Sequence, residues 1–324
     1  MKRIMLVHRP GGAFGYITDS WANTLRSAGH KVQRWDGLIE SWKVFSPDLY
    51  IGSSGHRQPV PKDPSCKFAM HVNPYGPMDC GAINESADSI QYIRDMNPSL
   101  VFGYGFEEDR VYWQYWKEKL GIPWCPMPTG ADATIFKRTA PPEHRALAAA
   151  YIGGRWAYKA KSIDAYLIPM IRHVAPYNYK VEIHGWGEWQ DGLSHGILPE
   201  DKVTPTFNRA QIGPCISEPH TQKWGFDLPE RVWKVAACGC LPIHDPVPTL
   251  HQLLPDLPMA RNPEEYAGIH LHYMVKTDER IELADRIHKQ VMNNHTYHHR
   301  LATLFNALGW HKEATDLVAN VPSN

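Results

Sequence analysis

No stretch of the 324 residues approaches the roughly 18 apolar positions in a row that a membrane-spanning helix requires, which excludes a bilayer-spanning reading. An excess of one charge is equally absent: lysine plus arginine and aspartate plus glutamate both total 34. Nothing therefore steers the whole chain toward nucleic acid or an anionic membrane, although a local basic groove is compatible with this balance. The six cysteines, Cys66, Cys80, Cys125, Cys215, Cys238 and Cys240, form no paired C-x-x-C spacing and accompany no export signal. They read as reduced thiols, and the chain as cytoplasmic. The opening MKRIMLVHRPGG has an apolar run of only Ile4 to Val7 and no small-residue cleavage site, so it reads as a buried strand. Internal repeats are missing. So is the dinucleotide fingerprint: GGAFG (Gly11, Gly12, Gly15) has the wrong spacing, which weakens a nicotinamide or flavin reading.

Short apolar runs alternate with amphipathic segments along most of the chain. Ile4 to Val7, KVQRW, PDLYIGSS, KFAMHV, SLVFGYG and PWCPM read as six strands, with helices at Ser20 to Ala28, Ser89 to Met96 and Asp109 to Leu120 and GGAFGY as a glycine-rich loop. Such alternation implies right-handed βαβ units and a parallel sheet. Two prolines among charges in KRTAPPEHR, residues 137 to 145, read as an interdomain linker. The pattern then restarts: ALAAAYIGG, YKVEIHGWG, AQIGPCIS and CLPIHD are strands and Ser162 to His173 is a helix. From Asp278 the spacing of Ile281, Ala284, Ile287 and Val291, then of Leu301, Leu304, Phe305 and Leu308, predicts helices. The length also exceeds what one compact core usually holds. The expected architecture is α/β, with two Rossmann-like domains at 1–138 and 149–295 whose parallel sheets face a cleft.

In open parallel sheets, ligands bind beyond the carboxyl ends of the strands. Three glycine loops fall at such ends: GGAFGY, IGGRW with Gly153 and Gly154, and HGWGEW with Gly185 and Gly187. In IGGRWAYKAKS the glycine pair precedes Arg155, Lys159 and Lys161, which puts positive charge where a diphosphate would lie. Arginine grips such a group bidentately and lysine adds a point charge, while a solvated basic helix start explains the same residues equally well. Twelve tryptophans and fifteen tyrosines include several beside glycine, as in HGWGEW and QKWGF, where an aromatic face suits a sugar ring or base as well as core packing. Before CLPIHD, Asp227 suits a helix N-cap with Glu230 three residues on, as in a capping box. Val232, Val235 and Ala236 supply an apolar face, and Gly239 ends that helix. Among eighteen histidines, His295, His298 and His299 cluster in HTYHH without a cysteine or carboxylate near them, so no metal site is assigned.

The ordered series SPDLYIGSSGH, MPTGADATIF, YIGGRWAYKAKS and WGFDLPERVWKVAACGCLPIHD resembles the retaining GT-B glycosyltransferases of the large group-1 type, including the spore-coat-maturation-like branch. In that family a P-x-G-x-D-x-x-x-F segment closes the N-terminal domain. A G-R…K segment binds the donor diphosphate, and G-F-G-L-P…E-A-x-A-C-G-x-P holds the sugar nucleotide. The resemblance implies a GT-B fold whose C-terminal segment, 296–324, returns as a helix toward the N-terminal domain. It implies transfer of a sugar from a nucleotide diphosphate sugar to a hydroxyl, with retention and with no cofactor. It assigns Arg155, with Lys159 or Lys161, to the diphosphate. Gly154, Gly185, Lys223, Trp224, Gly225, Phe226, Asp227, Leu228, Glu230 and Lys234 fall on the donor side, and Gly12, Tyr16, His56 and His71 on the acceptor side. Arg155, Lys161 and His56 are the catalytic candidates. No D-x-D triplet occurs, in keeping with a diphosphate neutralised by side chains rather than by a carboxylate-held metal.

One position departs from the pattern. The family usually carries two glutamates eight residues apart, the second bonding ribose hydroxyls, and here Lys234 stands at the second. Lysine cannot accept a hydrogen bond. Lys234 is thus either one half of a helical pair with Glu230, a turn earlier, or a donor-site cation. The acceptor class stays open among glycans, small molecules and hydroxymethylated DNA bases, the last being substrates of phage enzymes with the same architecture; balanced charge argues mildly against duplex DNA. A non-catalytic nucleotide-sugar-binding protein is the reading from another class, with Lys234 as its main support.

Overall fold

The computed structural model describes residues 1–9, 11–72, 87–105, 121–190, 192–225, 227–247 and 249–322. The helix expected at Asp109 to Leu120 and the donor-side Phe226 lie outside them. The chain forms two compact units, Met1–Thr134 with Tyr297–Pro322, and one that begins at Ile135 and runs to Thr296.

The first unit holds six parallel strands, β1 (Arg3–Leu6), β2 (Lys31–Arg34), β3 (Leu49–Ser53), β4 (Lys67–His71), β5 (Leu100–Gly103) and β6 (Trp124–Pro126), in the order β2-β1-β3-β4-β5-β6. Both sheet faces are apolar because side chains alternate along a strand. Ile4 and Leu6 of β1 and Leu49 and Ile51 of β3 join one cluster with Trp21, Leu25 and Phe102. Met5, Val7 and Tyr50 point the other way, to Trp35 and Trp42. Helix α1 (Gly12–Ser27) starts in what the sequence suggests is a loop: the chain turns at Gly11 and Gly12, φ 70° and 71°, and Tyr16 is already helical. Helices α2 (Ile39–Phe45) and α3 (Ala87–Met96) follow β2 and β4.

In the second unit β7 (Leu147–Ile152), β8 (Val181–His184), β9 (Ala210–Cys215) and β10 (Leu241–His244) form a parallel sheet ordered β10-β9-β7-β8. Its helices are α4 (Ala157–Ser162), continued by a π-turn into α5 (Ile168–Val174), then α6 (Glu200–Arg209), α7 (Pro219–Trp224), α8 (Arg231–Ala237), α9 (Leu250–Leu253), α10 (Pro263–Val275) and α11 (Thr277–Asn294). Helical structure after β7 therefore begins five residues ahead of the expected Ser162. KRTAPPEHR is not a free linker. Thr139 and Ala140 donate their N–H groups to Asn208, and Arg145, buried, donates to the carbonyls of Phe207, Ala210 and Cys238. Helix α8 ends as Gly239 requires: with Gly239 at φ 67°, its N–H reaches the Ala236 carbonyl and the Cys240 N–H that of Val235.

Two helices, α12 (Tyr297–Ala307) and α13 (His311–Ala319), complete the first unit where the sequence suggests one. Leu301, Leu304, Phe305 and Leu308 join the cluster of Ile4 and Trp21, and the Tyr297 N–H donates to the Ala131 carbonyl.

Candidate active site

Each sheet has a place where the strand order reverses, and there the loops leaving two neighbouring strands diverge and open a ligand site. In the first unit it lies between β1 and β3. Arg9, beyond β1, and His56, beyond β3, meet across it at 2.6 Å, Nη1 to Nδ1. The ring of Phe14 lies 4.9 Å from that of His56 and 5.3 Å from that of His71. Guanidinium only donates, so Nδ1 of His56 must be the acceptor and the ring proton sits on Nε2. Burial first, and the Arg9 charge second, lower the His56 pKa to about 4. His56 is therefore a neutral ring presenting a donor, not an open base, in this arrangement. His71 is a packed side chain, buried with its ring 4.4 Å from Tyr104. Tyr16 is exposed on α1, and Gly12 has open space where a Cβ would stand.

In the second unit the reversal lies between β7 and β9, and Arg231 spans it. From α8 its Nε donates 2.9 Å to the carbonyl of Ile152, the last residue of β7, and Nη1 3.2 Å to that of Ile216, just past β9. Its guanidinium lies 4.4 Å from the centre of the Tyr151 ring. A side chain on Gly153 would collide with Arg231, which is why glycine follows the strand. Gly185 is packed onto the Gly153 carbonyl and Gly187 onto that of Arg155. Exposed Trp186 covers the face of Gly154.

The basic residues of the same loop are not bare. Arg155 donates Nε and Nη2 to the two carboxylate oxygens of Asp164 at 3.2 and 2.7 Å, and Nη1 to the Glu188 carbonyl. Lys159, one of the two lysines assigned to the diphosphate, is buried and reaches Glu218 at 2.8 Å. Lys161 is exposed, as is Lys223.

Beyond β9 and β10 the sequence reading needs correction. Asp227 is no N-cap: it sits at φ 56° and its carboxylate lies 3.1 Å from His220 Nε2. Glu230 holds the cap position of α8 with helical dihedrals and makes no capping bond; its carboxylate receives Lys234 Nζ at 2.7 Å. The capping box fails because α8 starts at Arg231, one turn later than Asp227 would require. Leu228 is core, which leaves only its backbone to a ligand. Gly225 closes α7 in the left-handed region, φ 71°, and receives the Thr249 hydroxyl at 2.7 Å on its carbonyl. Trp224 is the last residue of α7.

Sequence reasoning missed Arg231, Glu218 and Asp245; the resemblance implies that the segment from Gln222 to Leu228 lies near the transferred sugar and phosphates, without a role for the Gln222 side chain. Asp245 follows β10 and is fully buried; its Oδ2 accepts the Ser217 N–H and Gln222 Nε2, both at 2.7 Å. Burial pushes its pKa up, but His244 and these donors prevail and hold the carboxyl below its ordinary range. The only available signals were the arginine inside an apolar helix and the aspartate closing a buried strand. Among the described residues no three His, Cys, Asp or Glu side chains gather as metal ligands, and no helix is long and apolar enough to cross a membrane.

Residues 166–306, under half the chain, match the family described as glycosyl transferase-like. No curated protein sequence is similar. Among solved structures, a mutant of T4 phage BGT in complex with UDP-glucose is 12% identical, with a TM-score of 0.62 over 96% of this chain and 99% of that one. Sucrose-phosphate synthase from Thermosynechococcus elongatus is 10% identical, with a TM-score of 0.62 over 98% and 100%. OtsA without ligand is 10% identical, with a TM-score of 0.58 over 94% and 99%. The fold is that of the GT-B glycosyltransferases.

Proposed function

We propose that this glycosyltransferase moves a sugar from a nucleotide diphosphate donor, bound at the β7/β9 end of the second unit, to a hydroxyl acceptor bound at the β1/β3 end of the first. The observation that carries the reading is the pair of cations that follow β7, Arg155 beyond the strand end and Lys159 on α4, each held by a single acidic side chain. A diphosphate offers these cations stronger, multiply charged acceptors than Asp164 and Glu218 do. Negative charge grows on the departing diphosphate as the glycosidic bond breaks, so cations fixed beforehand stabilise the transition state more than the ground state. Lys161 adds an exposed charge on α4. In the first unit the His56 Nε2–H is a donor for an acceptor oxygen, and Phe14 offers a ring face.

Retention, independence from metal and a cytosolic location belong to the same proposal. The acceptor has two readings. A glycan or small molecule suits the zero net charge, whereas a hydroxymethylated base in DNA is favoured by the likeness to BGT, which is described as a DNA-modifying enzyme. One BGT structure also holds UDP and Mn²⁺, so metal dependence has to be measured.

The test is a thermal-shift screen of UDP, GDP, ADP, TDP and CDP, followed by nucleotide release from the matching sugar nucleotides. Release is measured with hydroxymethylated DNA, an oligosaccharide or no acceptor, each with and without EDTA. One nucleotide should raise Tm, because a ligand of the folded state alone adds its binding energy. Release should depend on an acceptor and survive EDTA, and NMR of the product should show a retained anomer. Stabilisation by a nucleotide without any turnover would mean a binding protein. No stabilisation by any of the five would sink the donor site.

A further inference from the structure

Resting on the reading of a nucleotide-sugar donor at the β7/β9 reversal, we propose that Gln222 determines specificity there: its side-chain oxygen accepts a hydrogen bond from a hydroxyl of the donated sugar, and Asp245 is the residue that positions it. The orientation of the Gln222 amide follows from its partners. Asp245 Oδ2 lies 2.7 Å from Gln222 Nε2 and also accepts the Ser217 N–H, and His244 Nδ1 lies 2.8 Å from Oδ1. A carboxylate accepts and does not donate, so only the NH₂ side of the amide can face it. The same nitrogen reaches Ser162 Oγ at 3.4 Å. Turning the amide over would set two acceptor oxygens against each other at a fully buried carboxylate.

Oε1 is thereby left as the group Gln222 presents. It has no hydrogen-bond partner among the described residues, and Gln222 is only partly buried. An oxygen locked outward accepts from a hydroxyl and repels a phosphate oxygen. Gln222 also belongs to the turn of Glu218, whose carbonyl takes the Gln222 N–H and whose carboxylate takes Lys159. The Lys159 cation and the Gln222 amide are thus tied to one turn, the first suited to phosphate and the second to sugar hydroxyl.

The experiment compares UDP with UDP-glucose by calorimetry, or the corresponding GDP, ADP, TDP or CDP pair that the wild type binds. Wild type should prefer the sugar nucleotide. Gln222→Ala should lose roughly tenfold of that preference, the worth of one hydrogen bond to a group otherwise left unsatisfied, while affinity for the bare nucleotide holds. Asp245→Ala should lose it as well, because no carboxylate then holds the Gln222 NH₂ inward. An unchanged preference in folded Gln222→Ala, an equal loss of nucleotide and sugar nucleotide, or a wild type without preference would overturn the proposal. A wild type that binds none of the nucleotides would overturn the donor reading itself.

Discussion

Lys234 shows how one residue's surroundings choose between two chemistries. Its ammonium lies 2.7 Å from Glu230, one turn back, and 5.1 Å from the centre of the Phe136 ring. Both side chains of the pair are largely shielded, at 17% and 11% exposure. The pair and the ring contact account for a lysine here without a nucleotide. Lys234→Ala should therefore cost about 1 kcal/mol in urea unfolding, the sum of a helical ion pair and a cation–π contact. Calorimetry should find nucleotide affinity unchanged. Lys234→Glu should cost more, since two carboxylates would then face each other across one turn. Tighter nucleotide binding in that variant would instead mean that the ribose site of the group-1 enzymes survives here in weakened form.

At the scale of elements, the ends of β7 and β8 leave no room for a side chain at Gly185. The Gly185 N–H donates to Gly196, the Gly153 N–H to His184, and a Cβ on Gly185 would overlap the Gly153 carbonyl. Backbone cannot swing aside as a flexible side chain can, so the two strand ends would have to separate. Gly185→Ala should destabilise by about 3 kcal/mol or more, in the range of the large single-site effects. It should also weaken nucleotide binding, because Arg155 is bridged to this segment through Trp186 and Gly187. Gly268 is the control: it lies in α10 with open space around it, so Gly268→Ala should be neutral or slightly stabilising. Equal melting temperatures for the two variants would refute the close packing of the strand ends.

Across the whole molecule, acid sensitivity should arise from buried neutral histidines. Burial lowers His270 to about 4, and His298 to about 4 with the neighbouring His299 adding to the effect. His56 behaves likewise. Their ordinary value is 6.5, so between pH 6.5 and 4 the unfolded chain binds protons that the native chain does not. Stability therefore rises with pH through that window: it is fully present above about pH 6.5 and is lost as the pH falls toward 4. Melting temperature should decline steadily from pH 7 to 4.5, and His270→Phe should flatten part of the decline. A melting temperature independent of pH across this range would contradict these assignments.

The strands and most helices were legible in the sequence because they depend on short-range pattern: apolar runs at β1, β3 and β7, and a glycine that ends α8. The strand-end loops that carry Arg155 and Lys159 could be located for the same reason. Their partners could not. Asp164 lies nine residues from Arg155, Glu218 lies 59 from Lys159, and Arg231 lies 79 from Ile152. Local pattern suggested that Asp227 caps a helix, yet His220 and the turn around Gly225 hold it in a left-handed conformation instead. The resemblance puts Gln222 in a segment near the sugar, but the orientation of its amide depends on Asp245, 23 positions later. Propensity and periodicity act over a few residues and so determine the elements, whereas the charge and orientation of a side chain in a site depend on which distant strand ends the sheet order brings together.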